Sequence, residues 1–290
     1  NMPNLRDIKR RIKSVKNTQQ ITKAMKLVSA SKLRKAQEAI MSARPYALKL
    51  MDVLHHLSAR CNHDAHPLLD NRDGKRWLIL VVTADRGLCG GFNGNITKKA
   101  IQVISDNSDK EIQLITAGKK GHACFKNKEN KILHDHSGWT RDFNYLKAAE
   151  IGSTLSTLFS EKSIDRVYVL YNEFKSVMQQ EVILEQLLPI VPEKLDTGKA
   201  SMNIVDYIYE PEEEAILGAL LERYMTVEVY RAFLESSASE HGARMTAMDS
   251  ASRNAGEMIG GLTLTYNKAR QAYITKELIE IVNGAEALKA

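Results

Sequence analysis

Cysteine is scarce: Cys61, Cys89 and Cys124 are the only three in 290 residues, and their spacing suits neither a metal pair nor a disulfide framework. That argues against a small cross-linked secreted module and fits a reducing compartment. Long apolar runs are also missing. The longest, WLILVV at 77–82, is far short of the ~20 residues that cross a bilayer. The start, NMPNLRDIKRR, places no apolar segment behind its basic residues, so no secretory signal is expected. Proline is absent after Pro211, which leaves 212–290 free to run as one helix. Acidic residues are rare at the start: residues 1–60 hold 14 Lys/Arg against 3 Asp/Glu, while the remainder carries 27 against 32. A basic arm on a mildly acidic body calls for an anionic partner, whether nucleic acid, phospholipid or an acidic protein surface.

What is present is long-range helical periodicity at both ends. In the proline-free stretch a spacing of three and four runs unbroken from Leu217 through Tyr224, Arg231, Ala238, Met245, Ser252, Ile259 and Tyr266 to Tyr273. That is a coiled-coil period, and its small and polar positions require a partner backbone at close range. The N-terminal stripe is Leu5, Ile8, Ile12, Val15, then Ile21, Met25 and Val28, then Ala36, Ile40, Ala43, Ala47, Leu50, Leu54 and Leu57. Read this way the phase slips near Thr18, as a stammer would give, and Pro45 is expected to kink the helix or weaken one turn. Helices from opposite ends of one chain, with a body between them, pair antiparallel. If Leu57 pairs near Pro211, Leu5 lies level with Tyr266 and Met25 near Met245. Residues past about Asn267 then project as a lone helix, roughly 25 Å by helical rise. Its apolar residues Ile274, Leu278, Ile281 and Val282 need a host, and Gly284 is placed to cap it.

Between the helices the pattern changes to short β/α alternation. Strands are expected at 77–83, 112–118 and 166–174, with QQEVILEQLLPI as an edge strand. Helices are expected at 93–106, from Lys119, and at 143–159. The fold class is therefore mixed α+β and α/β: a long antiparallel coiled coil of N- and C-terminal helices plus a central small Rossmann-like α/β domain. The domains are 1–60 (N-terminal helix), 61–75 (linker), 76–210 (α/β foot) and 211–290 (C-terminal helix with projecting tip).

The stretch TADRGLCGGFNGN (83–95) crowds Gly87, Gly90, Gly91 and Gly94 behind a strand. These positions fit neither G-x-G-x-x-G nor a Walker loop. The expected role is a tight strand-to-helix connection in which glycines take positive φ and let helix and strand approach. Asp85 and Arg86 pair with each other or with the fold. The histidines scatter. HHLSARCNHDAH lacks a zinc spacing, and His134, Asp135 and His136 read as a solvated loop before a metal site. No catalytic residue, cofactor or metal is expected.

Three stretches, IKSVKNTQQITKAMKLVSASKLRKAQ (12–37), TADRGLCGGFN (83–93) and ARMTAMDSASRNA with LTYNKARQAYITKELIEIVNGAEAL (243–255 and 264–288), resemble the γ subunit of F-type ATP synthases in its bacterial form. The resemblance runs the whole chain. It implies a rotor shaft that turns inside a hexamer of α and β subunits, with its α/β foot against the ε subunit and the c-ring. The shaft carries no catalytic group of its own and couples proton-driven c-ring rotation to the β catalytic sites. Carried over residue by residue, Lys23, Met25 and Arg244 match positions near an acidic β loop. Arg270 and Gln271 match contacts to a β loop higher in the collar, and Ile274, Leu278, Ile281 and Val282 match the bearing tip. Asp206, Tyr207 and Glu210 match the foot near ε and the c-ring. Met25 reads equally as a seam residue on Met245. The implied place is the cytoplasmic face of the bacterial inner membrane, reached only through the c-ring. PIVPEKLDTGKASMN (189–203) is short and lacks the cysteine pair of chloroplast members, so that thiol switch is not expected. Two rivals remain: a coiled coil that binds nucleic acid through the basic arm, and a nucleotide-binding enzyme using the glycine loop.

Overall fold

The computed structural model describes residues 5–58, 66–128, 131–191 and 213–287. Two helices dominate it: α1 (Leu5–Ser58, 54 residues) and α6 (Glu213–Ala287, 75 residues). Between them lie β1 (Arg76–Val82), α2 (Phe92–Asp106), β2 (Glu111–Ala117), α3 (Lys119–Phe125), β3 (Ile132–Asp135), α4 (Trp139–Asp142), α5 (Tyr145–Ser160), β4 (Arg166–Phe174) and β5 (Gln180–Leu188). The chain divides into two compact units, Asn1–Ser29 with Met245–Ala290, and Ala30–Arg244.

The larger unit is built on one sheet of order β3-β2-β1-β4-β5. Four strands are parallel, and β5 returns antiparallel along β4 as the edge strand the sequence suggested. β1 is central and covered on both faces, which is why WLILVV is continuous instead of alternating. Leu78, Leu80 and Val82 face α5, through Ile151, Leu155 and Phe159, together with Leu54 of α1 and Met225, Val229 and Phe233 of α6. Ile79 and Val81 face α2 and α3, through Phe92, Ile96, Ala100 and Phe125. From Met225 to Arg244 no side chain of α6 is fully exposed; apolar and small residues alternate there with the buried charges Glu228, Glu240 and Arg244. Asn144 starts α5 by accepting the Lys147 amide on its side chain.

Three expectations are corrected. The heptad of α1 does not slip at Thr18. Its inward positions run Ile8, Ile12, Val15, Gln19, Thr22, Ser29, Leu33, Ala36, Ile40 at regular steps, with Lys26 completing the series. The apolar choice of Ile21 and Val28 forced the apparent stammer; both are about 60% exposed, at 60% and 59%. Gly284 does not cap α6, which runs on to Ala287 with intact helical bonding. Residues 132–136 are not a free loop: β3 pairs with β2, and the His136 amide donates to the Thr116 carbonyl at 2.7 Å. Pro45 sits inside a helix that continues past it.

Candidate functional site

The glycine loop joins the end of β1 to the start of α2. It leaves β1 at Thr83, whose hydroxyl lies 3.0 Å from the Ala117 carbonyl and accepts the Gly121 amide at 2.8 Å. Asp85 then turns away from Arg86. Its carboxylate accepts the amides of Lys119 (3.1 Å) and Gly138 (2.7 Å) and the Thr140 hydroxyl (2.6 Å). Burial opposes ionisation, but these donors prevail and hold the carboxyl below its ordinary range. Asn93 secures the rest, accepting the Ala84 amide and donating to the Cys89 sulfur. The amides at the starts of α3 and α4 are thus engaged by a carboxylate of the loop itself. Positive φ occurs at Gly90 (+56°) and at exposed Leu88 (+61°), not at all four glycines. Close approach of helix to strand happens one turn later, at Gly118 and Gly121, where an added Cβ would lie 2.2 and 2.9 Å from Thr83 atoms.

In an open parallel sheet a ligand crevice forms outside the strand ends where the order reverses, here between β1 and β4. α6 occupies that position. The Ser239 hydroxyl donates to the Asn172 carbonyl at 3.1 Å, and the Asn172 amide reaches the Phe92 carbonyl at 3.4 Å. Arg244, 8% exposed, donates to the Gly87 carbonyl at 3.2 Å and to Glu240 at 2.7 Å. Burial raises the Glu240 carboxyl, with Arg244 opposing. Cys89 is buried beneath, and burial pushes its thiol up. The loop is a seat for a helix. Among the described residues no three His, Cys, Asp or Glu side chains gather as a metal set. Asp135 instead takes the hydroxyls of Thr116 and Ser137 and faces His122 at 3.5 Å.

In the smaller unit α1 and α6 pair antiparallel. Thr22 and Ser252 share a hydrogen bond of 2.6 Å, Gln19 donates to the Ser252 carbonyl at 3.1 Å, and Lys26 pairs with Asp249. This register is about one turn from the one inferred by pairing Leu57 near Pro211. Lys23 is exposed and Met25 half-buried. The α6 seam ends at Ala269; every described side chain from Arg270 to Ala285 is exposed, including Gln271. Ile274, Leu278, Ile281 and Val282 are 46–67% exposed. Asp206, Tyr207 and Glu210 lie outside the described residues, as do Cys61 and His63.

The ATP synthase family model matches residues 4–288. The chain belongs to the ATP synthase gamma-chain family. It is 51% identical to the ATP synthase gamma chain of Geobacter sp. (strain M21), covering 99% of this chain and all of the relative. To that of Anaeromyxobacter sp. (strain Fw109-5) it is 49% identical, again over 99% and 100%. Among solved structures it resembles a chain of the Tetrahymena thermophila mitochondrial ATP synthase central stalk/c-ring, with TM-score 0.62 and 28% identity over 80% of this chain and 99% of that one. A Euglena gracilis mitochondrial ATP synthase chain shares the fold at TM-score 0.66 and 19% identity, covering 98% and 94%.

For a gamma-chain sequence, two features escaped the reading of the residues alone. One is the outward apolar set Ile21, Leu27 and Val28, beside Lys23; an uninterrupted heptad through Thr22 and Ser29 would have found it. The other is the network around Arg231, which the spacing placed only in the seam. Its guanidinium donates to Glu185 (2.7 and 2.8 Å), Glu228 (2.6 Å) and the Tyr171 hydroxyl (3.1 Å). Glu185 comes from β5, and no local pattern announces that encounter.

Proposed function

We propose that the chain is the central rotor shaft of an F-type ATP synthase, carrying c-ring rotation to the β catalytic sites and running in reverse during hydrolysis. The observation that carries this reading is the stretch from Arg270 to Ala285: sixteen consecutive exposed positions with an apolar stripe, on a chain half identical to gamma chains along its whole length. A helix with such a face is stable only inside a host. The collar of α and β subunits is that host, with Ile274, Leu278, Ile281 and Val282 as the bearing and Arg270 and Gln271 against a β loop.

Lower down, Lys23 and Met25 meet the acidic β loop. Arg244 is carried over from the family as a further residue of the same β-loop region. Asp206, Tyr207 and Glu210 belong to the foot, against ε and the c-ring. The shaft contributes no catalytic group; an asymmetric helix pair offers each β subunit a different face, so rotation shifts the populations of three equivalent sites in turn. No described helix is long and apolar enough to cross a membrane. The chain reaches the membrane through the c-ring, on the cytoplasmic face of the bacterial inner membrane.

The test is reconstitution with α, β, ε and c-ring in vesicles. Copurification at one copy per hexamer and ATP-driven proton pumping are expected. Arg270→Ala with Gln271→Ala should lower turnover several-fold while assembly persists. Failure of the purified chain to join α and β sinks the reading.

A further inference from the structure

A cavity of about 820 Å³ lies within the larger unit, between the 40–51 segment of α1, the β5 strand and its exit, and the 224–235 segment of α6. Nothing in the rotor reading uses it. Its walls are apolar, with Ile40, Ala43 and Met51 on one side and Ile183 and Leu187 on the other. Five tyrosines also line it: Tyr46, Tyr145, Tyr171, Tyr224 and Tyr230. The face of a tyrosine ring carries the negative part of its quadrupole and attracts positive charge.

The charge of the lining is unbalanced. Four carboxylates border the cavity, Glu173, Glu185, Glu228 and Glu235, against two guanidiniums, Arg44 and Arg231. Arg231 is fully engaged by Glu185, Glu228 and Tyr171. Glu173 is held by Lys175, which lies outside the cavity. Setting that pair aside, the remaining groups still carry one net negative charge. Glu235 accepts only the Phe174 amide among the hydrogen bonds resolved for it. Burial pushes the carboxyls of both Glu228 and Glu235 up, with Arg231 opposing at both and Arg44 at Glu235.

We propose that this cavity binds a hydrophobic organic cation, with its apolar body between Met51 and Ile183, its charge near Glu235 and Glu228, and tyrosine faces around it. Drug-sized sites have this size and this make-up, an apolar cleft with a few converging polar groups. A cation beside these carboxyls favours their ionised form, a neutral apolar guest gains nothing from them, and an anion is repelled. Such a ligand touches both long helices and the sheet edge together.

The experiment uses the full-length chain with ¹³C-labelled methionine methyl groups and two ions of matched shape, tetraphenylphosphonium and tetraphenylborate. The Met51 methyl resonance, assigned with Met51→Leu, reports the site. Tetraphenylphosphonium should shift it saturably at submillimolar concentration, and tetraphenylborate should leave it in place even if it binds the basic arm elsewhere. Glu235→Gln, which keeps an acceptor for the Phe174 amide, should weaken binding about fivefold through loss of one nearby charge. Ala43→Phe should fill the space and abolish the shift. An unmoved Met51 resonance at millimolar tetraphenylphosphonium overturns the proposal, and so does an equal shift by both ions. So does wild-type affinity in a folded Glu235→Gln chain.

Discussion

At single residues, burial decides which groups carry charge. The His241 imidazole is pushed down to about 4, first by burial and then by the Arg244 and Lys32 cations. It remains neutral in the fold while an unfolded histidine protonates near pH 6.5. Its share of stability is therefore complete above about pH 6.5 and is lost as pH falls toward 4. The urea midpoint should decline through that window, and decline less in His241→Gln; parallel curves would clear His241 of the effect. Thr22 and Ser252 make a second residue-scale case. Their 2.6 Å bond is buried in the seam; Thr22→Val takes the Ser252 hydroxyl's partner away, whereas after Ser252→Ala the Thr22 hydroxyl still donates to the Gln19 carbonyl. A double-mutant cycle should give a coupling of about 1 kcal/mol. A coupling near zero would mean that water replaces the bond.

At the scale of elements, the connection from β2 to α3 leaves no room for a side chain. Gly118 has φ +100°, and an added Cβ would meet the Thr83 carbonyl oxygen at 2.2 Å, against backbone that cannot withdraw. Gly118→Ala should cost about 3 kcal/mol or more. Gly90 also has positive φ, +56°, but nothing lies within 4 Å of its missing Cβ. Gly90→Ala should cost only about 1 kcal/mol, the left-handed penalty alone. Denaturant titration of both variants separates clash from torsion, and equal losses would refute the distinction. Most elements were legible in the sequence, because each strand and helix of the body carries its own period. β4 begins at Arg166 and ends at Phe174 as its apolar run does. β3 was not legible: ILHD is four residues long and polar at its end, and it is a strand only because β2 supplies its hydrogen bonds.

For the whole molecule, the prediction concerns the tip. The chain from Arg270 to Ala285 has no side chain covered, so its helix is marginal in water when alone. Amide exchange should be fast there in the free chain and slow after assembly with α and β. Residues 225–244, enclosed by the body, should stay protected in both states. Equal protection of 270–285 before and after assembly would show that the tip has no host.

The sequence by itself determined the two long helices, their antiparallel pairing, the β/α body and the uncovered tip, because each follows from spacing repeated over many residues. Its boundary for the tip, about Asn267, falls within a few residues of Arg270, where the fully exposed stretch starts. Tertiary structure decided which residues of α1 turn inward. Apolar count alone favoured Ile21 and Val28; the α6 backbone, close at Ser252, favoured the smaller Thr22 and left Ile21 and Val28 outside. Tertiary structure also decided the role of the glycine loop, since Lys119, Asn172 and Arg244 meet it from segments 34 to 157 residues distant from their partners. A local pattern reports the conformation of its own backbone. It cannot report which distant side chain will satisfy that backbone, and here Arg244 on Gly87 made a helix seat of what resembled a cradle.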